Sequence, residues 1–234
     1  VRSSTNVNDS MEAQFAGLLD TYLWVRGVEG VLHAVRSCWA SQYSVESVSL
    51  RRRRNMPEDR VAMGVIVQSM VNSQCSGVMY TRNPATGDRS VVTIEGCWGL
   101  GSGVLHGDVT PDRFIVSKVT GEIVSRTIAD KLVQHLPDHF AGGVRIEPVP
   151  EDHRRMTCLP DSQIADLAQI AKHIERHFGA SLDIEWTIAE NERSAYILQT
   201  RPENVTGALP AVAEKSSSAA SRSTARIIRV PPRT

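Results

Sequence analysis

The chain reads as an α+β protein, a mainly antiparallel sheet with flanking helices. Three features point there. Between residues 61 and 127, apolar β-branched runs alternate with turn-forming clusters, the texture of short strands in close succession. One long helix with clear start and stop signals follows at residues 160–179. Two strands with period-2 patterning then close the globule, at residues 182–188 and 195–201.

The elements follow in order. Val28, Val31, Leu32, Val35 and Trp39 recur with helical period, so residues 28–42 are expected to form a helix. The run Arg51–Arg54, flanked by Glu46 and by Glu58 and Asp59, reads as a solvated loop. Residues 61–71 form a long β-branched run, and 77–81 a second strand. Asn83-Pro84-Ala85-Thr86-Gly87-Asp88 is a turn by composition. Strands at 90–95, 112–118 and 122–127 continue the sheet, the last two joined by a tight turn at Val119-Thr120-Gly121. Pro160-Asp161 starts the long helix, Ile164, Leu167, Ala168, Ala171 and Ile174 make its buried stripe, and Gly179 stops it. After Thr206 the chain turns to Ser, Ala, Arg and Pro without periodicity. Residues 1–205 are therefore read as one domain and 206–234 as a linker or tail.

Composition narrows the function classes. The 234 residues are 41% hydrophobic and 22% charged, which excludes a disordered, collagenous or disulfide-stapled chain. No run approaches the roughly 18 apolar residues of a membrane span. The 26 basic and 26 acidic residues balance, so nucleic acid is not the expected partner. The expectation is a cytoplasmic protein without membrane contact. The balance is uneven along the chain: residues 206–234 carry five basic groups and one acidic, residues 1–205 carry 21 and 25. Cys38, Cys75, Cys97 and Cys158 lie far apart and read as reduced, mostly buried thiols. His173 and His177 have a zinc-compatible i,i+4 spacing but no third ligand nearby, and read as a solvated helix face.

The closing hairpin is the most informative segment. In residues 182–188, Leu182, Ile184, Trp186 and Ile188 alternate with Asp183, Glu185 and Thr187. Period-2 geometry puts both carboxylates on one face and four large apolar side chains on the other. Gln199 and Arg201 share a face of the partner strand for the same reason. A five-residue connection, Glu190–Ser194, sets Glu185 opposite Gln199 and Asp183 opposite Arg201, whereas a four-residue loop splits both pairs. Two carboxylates, an amide oxygen and a guanidinium suit a magnesium triphosphate. The same residues also suit a solvent-facing polar sheet with an Asp–Arg cross-strand pair.

At the amino end, Arg2-Ser3-Ser4 and Gly17-Leu18-Leu19-Asp20-Thr21 are candidates for a phosphate cradle of small residues near an arginine. Neither has the Walker A pattern. Gly99-Leu100-Gly101-Ser102-Gly103 is glycine-rich without a dinucleotide-binding context, and reads as a mobile loop.

Taken in order, these segments resemble the nucleotide-binding domain of the phosphoenolpyruvate synthase and pyruvate phosphate dikinase family. The resemblance rests on Val1-Arg2-Ser3-Ser4 with Phe15–Leu23, and on Gln68-Ser69-Met70-Val71 with Ser76–Gly87. It rests further on Trp98–Gly101 with Thr110-Pro111-Asp112, and on Asp183–Trp186 with Ile197–Pro202. It covers residues 1 to about 205. Rifampicin phosphotransferases carry the same module, so the final acceptor is left open.

The resemblance implies an ATP-grasp-like fold, incomplete at its N-terminal lobe. It implies that Glu185 and Gln199 bind Mg²⁺, that Arg2 and Arg201 bind phosphates as the catalytic pair, and that Asp183 stands beside them. The loop from Gly17 to Thr21 would close over the phosphates, and Gln68, Met70 and Val71 would belong to the segment whose backbone reads the adenine edge. In the family, ATP phosphorylates a histidine on a separate swivelling domain, and a further domain then passes the phosphate to pyruvate. The family's phosphate-contacting lysine has no counterpart here, and no Thr-Ser-His-type phosphohistidine motif occurs. The expectation is the ATP-binding portion of a dikinase-type phosphotransferase, with the phosphohistidine and pyruvate-binding domains absent from this chain. The competing expectation is a non-catalytic nucleotide-binding remnant.

Overall fold

A computed structural model describes residues 1–5, 19–57, 61–202 and 228–230. The chain divides into two compact units. The first comprises Val1–Thr21, Val28–Gln68 and Glu203–Arg226; the second comprises Tyr22–Gly27, Ser69–Pro202 and Ile227–Thr234.

In the first unit, β1 (Arg2–Thr5) pairs antiparallel with β2 (Met63–Ile66), Arg2 opposite Ile66 and Thr5 opposite Met63. Strand β2 is much shorter than the run at 61–71 suggested; residues 67–72 belong to no ladder. Helix α1 (Gly27–Ser41) forms as expected, but its buried face is a different one. Ala34, Cys38 and Ser41 are inside, whereas Val28, Leu32 and Trp39 are 75%, 44% and 51% exposed. Small residues let the chain at Asp20 approach closely: the Ser41 hydroxyl accepts from the Asp20 amide at 3.2 Å and donates to the Cys38 carbonyl at 2.7 Å.

The arginine run is a correction. It lies in helix α2 (Val45–Arg53), whose N-cap Ser44 accepts from the Ser47 amide at 3.1 Å. Arg52, Arg53 and Arg54 are exposed, but Arg51 is fully buried. Its guanidinium donates to the Gln42 carbonyl at 2.7 Å and the Ser47 hydroxyl at 2.9 Å. A buried arginine is tolerated when its donors meet acceptors in this way.

The second unit is built on a seven-stranded antiparallel sheet. Its strands are β3 (Ser73–Tyr80), β4 (Val91–Trp98), β5 (Asp112–Ser117), β6 (Ile123–Thr127), β9 (Leu182–Ala189), β10 (Ala195–Pro202) and β11 (Ile228–Val230). They lie in the order β11-β10-β9-β3-β4-β5-β6. Thus three residues of the stretch read as a linker or tail pair with β10. A separate hairpin, β7 (Val133–Pro137) and β8 (Val144–Pro148), and the single turn α3 (Ser102–Leu105) carry no strong periodicity in the sequence.

Helix α4 (Asp161–Phe178) covers one sheet face. Gly179 follows it at φ 68°, a conformation glycine adopts without a Cβ penalty. Its stripe of Ile164, Leu167, Ala168 and Ala171 packs in one cluster with Met79, Ile94, Phe114, Leu182, Ile184 and Trp186. Room for the indole comes from Gly96, and its partner Gly77 lets the backbone of β4 approach β3 closely. A Cβ on Gly96 would stand 3.1 Å from the Trp186 ring and from Cys158 Sγ, and one on Gly77 would meet the Glu95 carbonyl oxygen at 1.9 Å.

A buried ion pair stands at the edge of this core. Lys131 Nζ lies 2.6 Å from Asp112 Oδ1, both side chains wholly inaccessible. Asp112 also accepts from the Ala129 and Cys158 amides, each at 2.9 Å. The four cysteines are free and buried, as expected. Burial pushes the Cys97 thiol up to about 12 and raises Cys75 and Cys158 as well. Among the described residues, no three His, Cys, Asp or Glu side chains group to hold a metal, His173 and His177 included. Among them, no helix is long and apolar enough to cross a membrane.

Candidate functional site

The hairpin β9–β10 has the expected pairing, reached by an unexpected route. Near the turn, Ile188 pairs with Ala195 and Trp186 with Ile197; the register then shifts by one, so that Glu185 faces Gln199 and Asp183 faces Arg201. Five residues, Glu190–Ser194, connect the two strands as expected, but Ala195 pairs with Ile188 rather than Ala189, and a bulge at Leu198 takes up the difference. This matters because Ala195, Ile197, Gln199 and Arg201 are alternate residues. Unbroken pleating would turn all four toward α4. The bulge leaves Ala195 and Ile197 in the core and swings Gln199 and Arg201 to the opposite face, a known use of the extra residue.

On β9, Leu182, Ile184, Trp186 and Ile188 are buried against the core, and Asp183 and Glu185 are half-buried on the other face. Arg201 reaches diagonally across the hairpin and donates to Glu185 Oε1 at 2.9 Å, its side chain 42% exposed and that of Glu185 19%. The row runs on through Val78 of β3 to Glu95 of β4 and Arg113 of β5. Arg113 holds Glu95 Oε1 with Nε at 2.8 Å and a terminal nitrogen at 2.7 Å. Sequence reasoning passed over this second carboxylate–guanidinium pair. Its signal is Glu95 alone, a charge set among the apolar residues of β4.

The segment before β3 is tied to the far end of β9. Met70 is at the exposed margin and Val71 half-buried. The Asn72 carbonyl accepts from the Glu190 amide at 2.8 Å, and its side-chain amide donates to Glu190 Oε2 at 2.6 Å. The Ser73 hydroxyl donates to the Val71 carbonyl at 3.1 Å. The glycine-rich stretch beyond β4 is anchored, which corrects the expectation of a mobile loop. Gly99 donates to the Gln74 carbonyl at 2.9 Å and Leu100 to the His135 carbonyl at 2.8 Å, while Ser76 donates to the Gly99 carbonyl at 2.7 Å. His135 is buried with Nδ1 2.9 Å from the Ser102 hydroxyl, and burial holds its pKa below the ordinary histidine value against the pull of Asp108.

The remaining sequence candidates lie in the first unit. Arg2 opens β1 and forms an antiparallel bridge with Thr21, so the structure sets these two beside each other. Gln68 stands two residues beyond the end of β2. Gly17 lies outside the described residues. Met70, Val71, Asp183, Glu185, Gln199 and Arg201 all belong to the second unit.

Comparison with known proteins gives the family. Residues 1–222 match the model of a domain family described as "Pyruvate phosphate dikinase, AMP/ATP-binding domain". The chain is 39% identical over 202 residues to a probable phosphoenolpyruvate synthase of Methanocaldococcus jannaschii, covering 86% of this chain and 17% of that protein. It is 39% identical over 207 residues to the phosphoenolpyruvate synthase of Pyrococcus furiosus, covering 86% of this chain and 25% of that one. A rifampicin phosphotransferase of a Streptomyces species is 41% identical over 202 residues, covering 86% and 23%. The chain thus spans about a fifth of these relatives' length.

Proposed function

Because the chain belongs to the pyruvate phosphate dikinase AMP/ATP-binding domain family, we propose that it is the ATP-binding portion of a phosphoenolpyruvate synthase-like phosphotransferase. The reaction is phosphoryl transfer from ATP to a histidine and from there to pyruvate, with the histidine and pyruvate sites on other domains. The fold reading that accompanies this role is ATP-grasp-like. The observation that carries the proposal is the register of β9–β10, which sets Asp183, Glu185, Gln199 and Arg201 on one face of a rigid hairpin.

The donor set fits magnesium. Glu185 offers a carboxylate and Gln199, directly opposite, an amide oxygen; both are hard oxygen ligands. Magnesium is held by one or two carboxylates together with substrate phosphates, so Glu185 and Gln199 need no complete protein cage around the ion. When bound, it would neutralise charge on the phosphate chain. Arg201 has five N–H donors, and the one given to Glu185 leaves others for a phosphate oxygen. Arg2, beside Thr21, supplies a second guanidinium for phosphate, and Asp183 extends the acidic face next to Glu185. Gly17 to Thr21 is assigned to the phosphates, and Gln68, Met70 and Val71 to the adenine edge. Phosphoryl transfer asks mainly for positioning and charge neutralisation, which these residue types provide. They do not by themselves choose pyruvate over another acceptor, such as the rifampicin of one relative's name.

Calorimetric titration of the chain with ATP, with and without Mg²⁺, tests the site. Mg²⁺-dependent binding that Glu185→Ala weakens by tenfold or so is expected for loss of a charged metal ligand. Binding that ignores both Mg²⁺ and Glu185→Ala would sink the assignment.

A further inference from the structure

Strand β9 carries the proposed metal ligand Glu185 in its first half and holds the proposed adenine-reading segment at its end. The link is a chain of buried hydroxyls. Thr187 Oγ1, two residues beyond Glu185 on the same face, donates to Ser73 Oγ at 2.8 Å, and Ser73 donates to the Val71 carbonyl at 3.1 Å. Ser76 Oγ lies 2.8 Å from Thr187 Oγ1. All three side chains are buried. Thr187 has one proton, which given to Ser73 leaves Ser73 to give its own to Val71; Ser76 has the Gly99 carbonyl, 2.7 Å away, and Thr187 both within reach of its single proton.

A second bulge makes this possible. Ser73 pairs with Ala189 and Cys75 with Ile188, so Gln74 is an extra residue on β3. Plain alternation would put Ser73 on the core face with Cys75 and Gly77. The bulge at Gln74 turns it to the polar face, against Thr187, as the bulge at Leu198 turns Gln199 and Arg201. Residues 67–72 have no strand partner of their own, so these side-chain bonds and the Asn72–Glu190 pair are what orient the end of that segment.

We infer that Thr187 is a specificity-determining positioning residue: through Ser73 it fixes the Val71 carbonyl and so aims the backbone of residues 70–71 at an adenine rather than a guanine edge. This rests on the nucleotide site proposed above. A backbone edge tells the two purines apart because adenine presents an N6 donor where guanine presents an O6 acceptor. A backbone edge discriminates only while its carbonyls and amides are held in place, and Thr187 does the holding without touching the nucleotide.

The test compares ATP, GTP and inorganic tripolyphosphate, each with Mg²⁺, on the wild-type chain and its variants. Thr187→Val keeps the shape and deletes the hydroxyl. It is expected to weaken ATP binding about five- to tenfold and to erode the preference for ATP over GTP by a like factor. Tripolyphosphate binding, which needs only the metal end, stays unchanged. Thr187→Ser restores the preference, which a merely structural defect would not predict. Should Thr187→Val fail to fold, Ser73→Ala gives the same reading, since Thr187 then keeps an acceptor in the Cys75 carbonyl, 3.2 Å away. Equal loss for all three ligands, or no loss at all, overturns the inference. If Glu185→Ala abolishes ATP binding and Thr187→Val leaves the ATP preference intact, the inference alone fails. If the wild-type chain binds no ATP, the site reading falls and the inference with it.

Discussion

Arg201 donates to Glu185 at 2.9 Å, the carboxylate half-buried and the guanidinium exposed. A pair open to water on the arginine side contributes modestly to stability, about 1 kcal/mol, so exchanging it for the proposed metal and phosphate would cost the fold little. Lys131 and Asp112 are the opposite case. Both are wholly buried, and the carboxylate also ties down two backbone amides. Lys131→Met leaves that carboxylate uncompensated and is expected to cost about 3–5 kcal/mol, read as a lowered urea midpoint with an unchanged slope. A loss under about 1 kcal/mol would mean that water reaches Asp112 in the folded protein. At this scale the alternation of residues 182–188 was legible in full, because a strand buried on one face must alternate. Burial of Arg51 was not, since an arginine beside three others looks solvated until its acceptors, Gln42 and Ser47, are placed in space.

Among the elements, helix α4 was legible to within a residue at either end, because Pro160 and Gly179 act locally on the backbone. Helix α1 was legible in extent but not in orientation. Val28, Leu32 and Trp39 of its apolar stripe are exposed and its small-residue face is packed, and only tertiary contact chooses between two faces of one helix. The hairpin pairs and the five-residue connection Glu190–Ser194 were legible, whereas the Ile188–Ala195 pairing next to the turn and the bulge at Leu198 that restores the register were not. Bulges leave almost no mark in a single sequence, because the extra residue can be of any type. Strands β3, β4 and β9 meet most tightly at Gly77, Gly96 and Trp186. Gly96→Ala forces a methyl to 3.1 Å from the indole. It is expected to destabilise by about 1–3 kcal/mol and to alter the near-ultraviolet signal of Trp186. A variant as stable as the wild type would show that the β3–β4 ladder can shift to admit the methyl.

Across the whole molecule the buried apolar side chains are unevenly shared. The continuous cluster from Met79 to Ile188 belongs to the second unit, while the buried apolar residues described in the first are Val1, Ala34, Cys38 and Val61. Regions with few buried apolar contacts open at lower free energy. In rising urea, Cys38 is expected to react with a thiol reagent before Cys75, Cys97 and Cys158, as mass mapping of the labelled cysteines would show. Simultaneous labelling of all four would show one cooperative unit instead. By itself the sequence determined the α+β class, the strand and helix periods, the family motifs and the identity of the polar residues on β9. Those follow from local backbone preference and from alternation, which act along the chain. The tertiary structure decided which face of α1 is buried, that Arg51 and Lys131 lie inside, and that bulges at Gln74 and Leu198 set Ser73 on the face of Glu185 and reach the Gln199 and Arg201 pairs. Those depend on register shifts and partners far apart in the chain, which no local pattern encodes.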